Sequence, residues 1–350
     1  MNAESKIKDE ISKNSFITVD RFMEIALLDE AFGYYRKKNP IGKENDFITS
    51  PEISVLFGEV IGLFIVNQIR EKLFRYDTIN LIELGAGKGT LLNDILNSIS
   101  KFSDVYQKIN IKILEINDVL VEIQKDTLIK HIDKIHWIGK IENVGNNSPC
   151  VFIANEFFDA LPVKQFVKQN GVIKERTITI YNSELKFSEK EAHVPPVILD
   201  FSEDYEEGDI IEYSPNSNDF MSNICHTIIR NKGFALIIDY GHANFASGDT
   251  LQSVYKHKYN NIFDNIGDAD LTTHVNFRML YNVALNSGLR DIYLQTQAEF
   301  LNSMGILTRA EIVSKKLSEK QKSDLFMRVN RLTSSEEMGE LFKCLIVENF

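Results

Sequence analysis

The sequence predicts an α/β protein built on a mostly parallel sheet. It adds an N-terminal helical extension and a β-rich insertion between the fourth and fifth strands. Three observations carry this reading. Short apolar runs alternate with helix-like stretches from residue 80 onward, the pattern of strands joined by crossover helices. The first run, Asn80-Leu81-Ile82-Glu83-Leu84, passes directly into Gly85-Ala86-Gly87-Lys88-Gly89-Thr90. Between the fourth and fifth runs lies a segment with strand-like alternation and a hairpin signal.

In chain order, about 75 residues precede the glycine turn. They include one buried helix over 55–73, whose apolar core Val60-Ile61-Gly62-Leu63-Phe64-Ile65-Val66 is far too short to span a bilayer. The strands are expected at 80–84, 110–115, 135–137, 151–154, 234–239, 291–296 and 342–347, with a long helical stretch over 298–339. In the insertion, Asn170-Gly171 separates two strand-like runs, 163–169 and 172–181. Asn-Gly is the strongest short hairpin signal because both central positions need positive φ. Ser214-Pro215-Asn216 opens a helix, and Gly233 reads as its stop.

The glycine turn selects a ligand class. Glycines tolerate positive φ and carry no Cβ to block a close approach, and the helix that follows presents free N–H groups and a positive dipole end. The spacing is G-x-G-x-G, with Thr90 where dinucleotide enzymes place a final Gly or Ala. There is no P-loop pattern. Glu83, two residues before the first glycine, suits a ligand that carries an ammonium group. S-adenosylmethionine has one and NAD does not. Glu115 ends the second strand, where an acid in related folds binds ribose hydroxyls. Trp137, the only tryptophan, is either adenine-proximal or core.

The fourth strand delivers Asn155-Glu156-Phe157-Phe158-Asp159-Ala160-Leu161-Pro162 to the carboxyl edge of the sheet. If one helical turn follows, Glu156 and Asp159 stand at i and i+3 on one face. Paired carboxylates there suit a guanidinium, which stays protonated with a pKa above about 12. The competing reading makes Glu156 a turn cap and Asp159 a solvated side chain.

Composition excludes several classes. Of 350 residues, 43% are hydrophobic and 25% charged, ordinary globular values. A net charge of −11 argues against nonspecific nucleic-acid binding and mildly favours a basic peptide substrate. Cys150, Cys225 and Cys344 read as reduced core thiols, and no histidine spacing suggests a metal. The N-terminal residues are mixed in charge, without an apolar signal region or arginine, which leads to the expectation of a cytoplasmic location.

An ordered series of motifs resembles the MidA-type S-adenosylmethionine-dependent methyltransferases, nearly end to end. It begins with Phe22-Met23-Glu24, Phe32-Gly33-Tyr34-Tyr35, Asp46-Phe47-Ile48-Thr49-Ser50-Pro51-Glu52 and Phe57-Gly58-Glu59. It continues through the glycine turn and the Asn155–Pro162 segment to Asp239-Tyr240-Gly241-His242, Asp270-Leu271-Thr272-Thr273-His274-Val275 and Met338-Gly339-Glu340-Leu341-Phe342-Lys343. Ala86 and Lys88 stand where that family often has Pro and Arg, and Asn117-Asp118 where it often has Ser-Pro.

The resemblance implies a class I, Rossmann-like methyltransferase sheet and a family that includes a mitochondrial complex I assembly factor with protein-arginine methyltransferase activity. It implies a cofactor site at Glu83, Gly85, Gly87, Gly89 and Glu115, with Thr49 and Ser50 in a lid. It makes Asn155, Glu156 and Asp159 the catalytic candidates. The expected division is a helical extension and lid over 1–76, the first part of the cofactor domain over 77–162, the substrate insertion over 163–215, and the remainder over 216–350 with a substrate-side loop at 242–285. The expected acceptor is a protein arginine, in a respiratory complex I subunit by analogy, with no nucleic-acid partner and a homodimer left open. A small-molecule methyltransferase and a cofactor-binding assembly factor without turnover stand as alternatives. His242, Arg176 and Glu212 remain open between pocket-lining and structural roles.

Overall fold

The computed structural model describes residues 2–37, 50–199 and 205–350. The chain divides into two compact units, each assembled from three segments. The first comprises Met1–Phe47, Asp159–Asp219 and Asn244–Asn276, and the second Ile48–Phe158, Phe220–Ala243 and Phe277–Phe350.

The second unit holds seven strands: β1 Ile79–Leu84, β2 Ile109–Leu114, β3 Ile135–Ile138, β4 Cys150–Asn155, β5 Gly233–His242, β6 Asp291–Thr296 and β7 Phe342–Asn349. Their order across the sheet is β3-β2-β1-β4-β5-β7-β6. The first five in that order pair in parallel, and β7 runs antiparallel to both β5 and β6. β1 is buried at every position, Asn80 and Glu83 included, and β4 at all but Asn155, because a parallel sheet covered by helices buries both faces. The seven expected runs are these strands, extended by one to three residues at some ends, except that β2 stops at Leu114 and leaves Glu115 one residue beyond it.

One face packs under the helix Val55–Gln68, which continues through a π-helical turn at Ile69–Leu73, and under the helix Thr90–Ile99. The two helices meet closely. A Cβ on Gly58 would lie 2.5 Å from Asp94 Cβ, and one on Gly62 would lie 2.8 Å from Ser98 Cβ. Glycine one turn apart is therefore what lets the backbones approach. Phe64 makes edge-to-face contacts with Phe234 and Phe300 at 5.5 and 5.4 Å, tying the first helix to β5 and to the helix Gln297–Ser303.

Two boundary expectations change. The stretch expected as helical over 298–339 is four helices, Gln297–Ser303, Ile306–Ser314, Glu319–Thr333 and Met338–Leu341. It breaks at left-handed Gly305 and restarts at the Ser318 capping box. The helix Pro215–Asn231 does not use Gly233 as its stop. Lys232 takes the left-handed position at φ 71, and Gly233 instead starts β5, where a Cβ would lie 1.9 Å from the Cys150 carbonyl oxygen.

The first unit is β-rich. Strands Lys164–Gln169 and Val172–Tyr181 form the expected hairpin, with Asn170 at φ 53 and Gly171 at φ 73. Strand Ile210–Tyr213 pairs with the first of these, and Glu184–Lys190 and Ile17–Thr18 pair with the second. Helices Ala3–Asn14 and Val19–Leu28 bury Ile7, Ile11, Phe22 and Met23 against Ile178 and Leu185. A small antiparallel sheet orders Lys258–Asn260, Gln252–Tyr255 and Asp270–Thr272. Among the described residues, no helix is long and apolar enough to cross a membrane.

Candidate active site

The register of the sheet gathers three of the expected residues. Glu83 pairs with Ile113 on β2 and with Ile153 on β4. Side chains two apart on a strand share a face, so Glu83, Glu115 and Asn155 all lie on one face at the carboxyl edge. That edge is where α/β sheets bind ligands.

The glycine turn has the expected conformation. Gly85, Gly87 and Gly89 have φ of 64, 53 and 81, a region that side-chain-bearing residues seldom adopt. A Cβ on Gly85 would also lie 2.8 Å from Phe157 Cδ2. Gly89 then caps the helix Thr90–Ile99, whose first N–H groups are free of side-chain caps.

Glu115 is held in place. Its Oε1 accepts the Ile116 and Asn117 N–H groups, each at 2.9 Å, and its Oε2 accepts from Gln124 Nε2 at 2.9 Å. Gln124 is a residue that sequence reasoning missed. It also donates to the Gly87 carbonyl at 2.7 Å and accepts the Trp137 indole N–H at 2.8 Å. One buried amide therefore links the turn, the second-strand acid and the lone tryptophan. No local pattern could have announced it, because its partners stand 9, 13 and 37 residues away.

Glu83 is the opposite case. It is 3% exposed, and its Oε2 has no hydrogen-bond partner among the described residues. Burial first, and the like charge on Glu115 second, push its pKa up to about 8. Asn155 Oδ1 is likewise buried without a partner among the described residues, while its Nδ2 donates to Glu156 Oε1 at 3.3 Å.

Glu156 leaves the strand at φ 48. No helix follows over 156–162, so the helical turn expected to align Glu156 with Asp159 does not form; the chain passes through bends and turns instead. Glu156 Oε1 accepts the Ser50 N–H at 2.9 Å, which ties the helix Ser50–Ile53 to the end of β4. Thr49 lies outside the described residues. Asp239, fully buried in β5 three residues before its end, accepts the Phe158 and Tyr240 N–H groups at 3.0 Å each and so shapes the same bend. His242, half-buried, is held below the usual imidazole range by burial and by Lys343.

Asp159 belongs to the first unit. It is buried, and its carbonyl accepts the Thr273 N–H at 3.0 Å. In the same unit, Tyr35 donates to Asp270 Oδ1 at 2.9 Å, and burial together with Asp270 and Asp159 pushes the phenol well up. Arg176 and Glu212 lie in one part-buried network. Arg176 donates to Asp249 at 2.7 Å and to Gln165 at 3.0 Å and stacks 3.6 Å over the Phe187 ring. Glu212 accepts from Gln165 at 2.7 Å and from Thr250. All three cysteines are buried free thiols, as expected.

A parallel sheet reversed only at its seventh strand, a left-handed glycine turn after β1 and an anchored acid after β2 define a class I S-adenosylmethionine-dependent methyltransferase. The chain belongs to the family described as "Putative S-adenosyl-L-methionine-dependent methyltransferase", which matches residues 60–294. S-adenosylmethionine is its cofactor. Among the described residues, the unpartnered Glu83 oxygen and the left-handed backbone of Gly85, Gly87 and Gly89 fit such a ligand.

Curated relatives extend the likeness to most of the chain. The protein named "Protein arginine methyltransferase NDUFAF7, mitochondrial" from Xenopus tropicalis is 30% identical over 93% of this chain and 81% of its own length. The Caenorhabditis elegans homologue is 29% identical over 96% and 83%. In fold, the chain matches a Burkholderia thailandensis protein solved with S-adenosyl-homocysteine, with a TM-score of 0.86, 24% identity and coverage of 99% and 92%.

The relatives overturn the expected cytoplasmic location, since they are named as mitochondrial proteins. The physical reason is that the residues behind that expectation form the helix Ala3–Asn14, with Ala3, Ile7 and Ile11 buried. Their charge pattern reports packing, not destination.

Proposed function

We propose that the chain transfers methyl from S-adenosylmethionine to an arginine of a protein. The observation that carries this reading is the Asn155-Glu156 pair at the carboxyl end of β4, in a chain whose curated relatives are named protein arginine methyltransferases. The bound cofactor supplies an electrophilic methyl group on a sulfonium. Glu83, Gly85, Gly87 and Glu115 hold it, and Ser50 belongs to the lid.

The protein's part is orientation and charge placement. Glu156, Asn155 and Asp159 are assigned to the acceptor. A carboxylate hydrogen-bonded to one side of a guanidinium concentrates positive charge there and leaves the other nitrogen richer in electrons. Holding that nitrogen in line with the sulfonium gives most of the rate gain. Asn155 Oδ1, buried and unpartnered among the described residues, is suited to accept an N–H of the same group. A subunit of respiratory complex I is the acceptor proposed first, on the resemblance to the assembly-factor family.

The test is methyl transfer from labelled cofactor to purified complex I subunits, followed by acid hydrolysis and identification of the modified amino acid. Methylarginine is expected with wild-type protein. Glu156→Gln should bind cofactor within about twofold of wild type and lose about 100-fold or more in kcat. Wild-type turnover by Glu156→Gln would remove Glu156 from the mechanism. Methyllysine, or label confined to small molecules, would remove the arginine assignment.

A further inference from the structure

Among the described residues, Glu83 is the one buried carboxyl at the glycine-turn edge that the fold leaves unmatched. It stands between apolar register partners, Ile113 and Ile153, with Oε2 unpartnered. An isolated carboxylate in such a place is costly, and the usual outcome is that the group stays neutral.

The charged groups on the elements around it give no relief. On β2, Glu115 adds like charge and is itself fixed by two backbone N–H groups and Gln124. In the turn, Lys88 is paired with Glu52 at 3.2 Å. On the helix Thr90–Ile99, Asp94 interacts with Glu59. On β4 the nearest polar group of the same face is the neutral Asn155. On β5, Asp239 is occupied by the Phe158 and Tyr240 N–H groups. No ion pair to Glu83 occurs among the described residues.

We propose that Glu83 sits in the ligand-free protein as a carboxylic acid and releases its proton to solvent when the ammonium of the cofactor's amino-acid end arrives. The inference rests on the assignment of Glu83 to that end of the ligand. In this step the carboxyl O–H bond breaks, the proton passes to buffer, and the ligand ammonium keeps all of its N–H bonds. The site thus exchanges one positive charge for another, and binding reads the ammonium specifically. S-adenosylhomocysteine, which carries the same end, behaves like S-adenosylmethionine. 5′-Methylthioadenosine, which lacks it, binds without releasing a proton.

The sign follows from the carboxyl's high pKa of about 8 in the free protein. Below it, removing the proton opposes binding, so affinity rises about tenfold per pH unit toward pH 8. Above about 8 the ligand's own α-amino group starts to lose its proton, and the rise ends.

The deciding experiment is titration calorimetry of the whole protein at pH 7 in phosphate and in Tris, buffers with very different ionisation enthalpies. S-adenosylmethionine and S-adenosylhomocysteine should each release close to one proton, and 5′-methylthioadenosine none. Glu83→Gln, which keeps size and hydrogen-bonding capacity, should bind without proton release. As a check that needs no variant, the infrared band of a protonated carboxyl should disappear from wild-type protein on ligand addition. Binding of S-adenosylmethionine with no proton released, or equal release by Glu83→Gln, overturns the inference. Failure of wild-type protein to bind S-adenosylmethionine in either buffer overturns the cofactor assignment instead.

Discussion

Glu156 holds a strained backbone at the carboxyl edge. A non-glycine residue at φ 48 costs about 1–3 kcal/mol, and the Ser50 N–H on its carboxylate is one contact that holds it there. Gly85 illustrates the same constraint from the other side. Gly85→Val would add a Cβ 2.8 Å from Phe157 at φ 64 and a β-branch that the region excludes. We expect this variant to lose S-adenosylmethionine binding by calorimetry; unchanged affinity would remove the turn from the site. These residues were legible because backbone geometry limits the choice of amino acid: glycines at alternate positions and an acid at a strand end have few other uses. The left-handed Glu156 was not legible, since nothing in its side chain announces φ. Gln124 was not legible either, because its role exists only once distant strands are adjacent.

Helix packing over the sheet makes a pH-dependent prediction. Asp94 faces the helix Val55–Gln68, where burial, then Glu59, push its pKa up to about 6. A carboxyl raised on folding contributes stability that is complete below its unfolded value near 4 and is lost as pH rises through about 6. Asp94→Asn should therefore be about 1–2 kcal/mol more stable than wild type at pH 7, with the gap closing below pH 4. Chemical unfolding at the two pH values checks it; a gap that persists at low pH would show a packing effect instead. At this scale the strands were legible as dense apolar runs and the hairpin from Asn170-Gly171. Helix ends were less so. Lys232 closes the helix Pro215–Asn231 because Gly233 is committed to the close approach at Cys150, a tertiary demand that local propensity does not record.

Across the whole molecule, each unit has its own apolar core, so ligand binding should register unevenly. Cofactor at about 100 times its Kd should stabilise the unit that binds it by about 2.7 kcal/mol. Hydrogen exchange should then slow in β1, the glycine turn and β2, and stay unchanged in the core formed by Phe22, Met23 and Ile178. Equal slowing in that second core would mean that the units unfold together. The order of β7 between β5 and β6 was beyond sequence reasoning for the same reason as the shared core of residues 3–28 and 163–190: both depend on contacts made across long stretches of chain.

That long-range pairing also sets a timetable for synthesis. Ile17 hydrogen-bonds in register with Ile178, 178 − 17 = 161 residues later. At a ribosomal pace of about 5–20 residues per second, the apolar faces of the first two helices wait roughly ten to thirty seconds for the strands that cover them. During that interval Ile7, Ile11 and Phe22 have no native partner strand to meet, so the apolar stripe of the nascent chain stays uncovered well before there is any cofactor to bind.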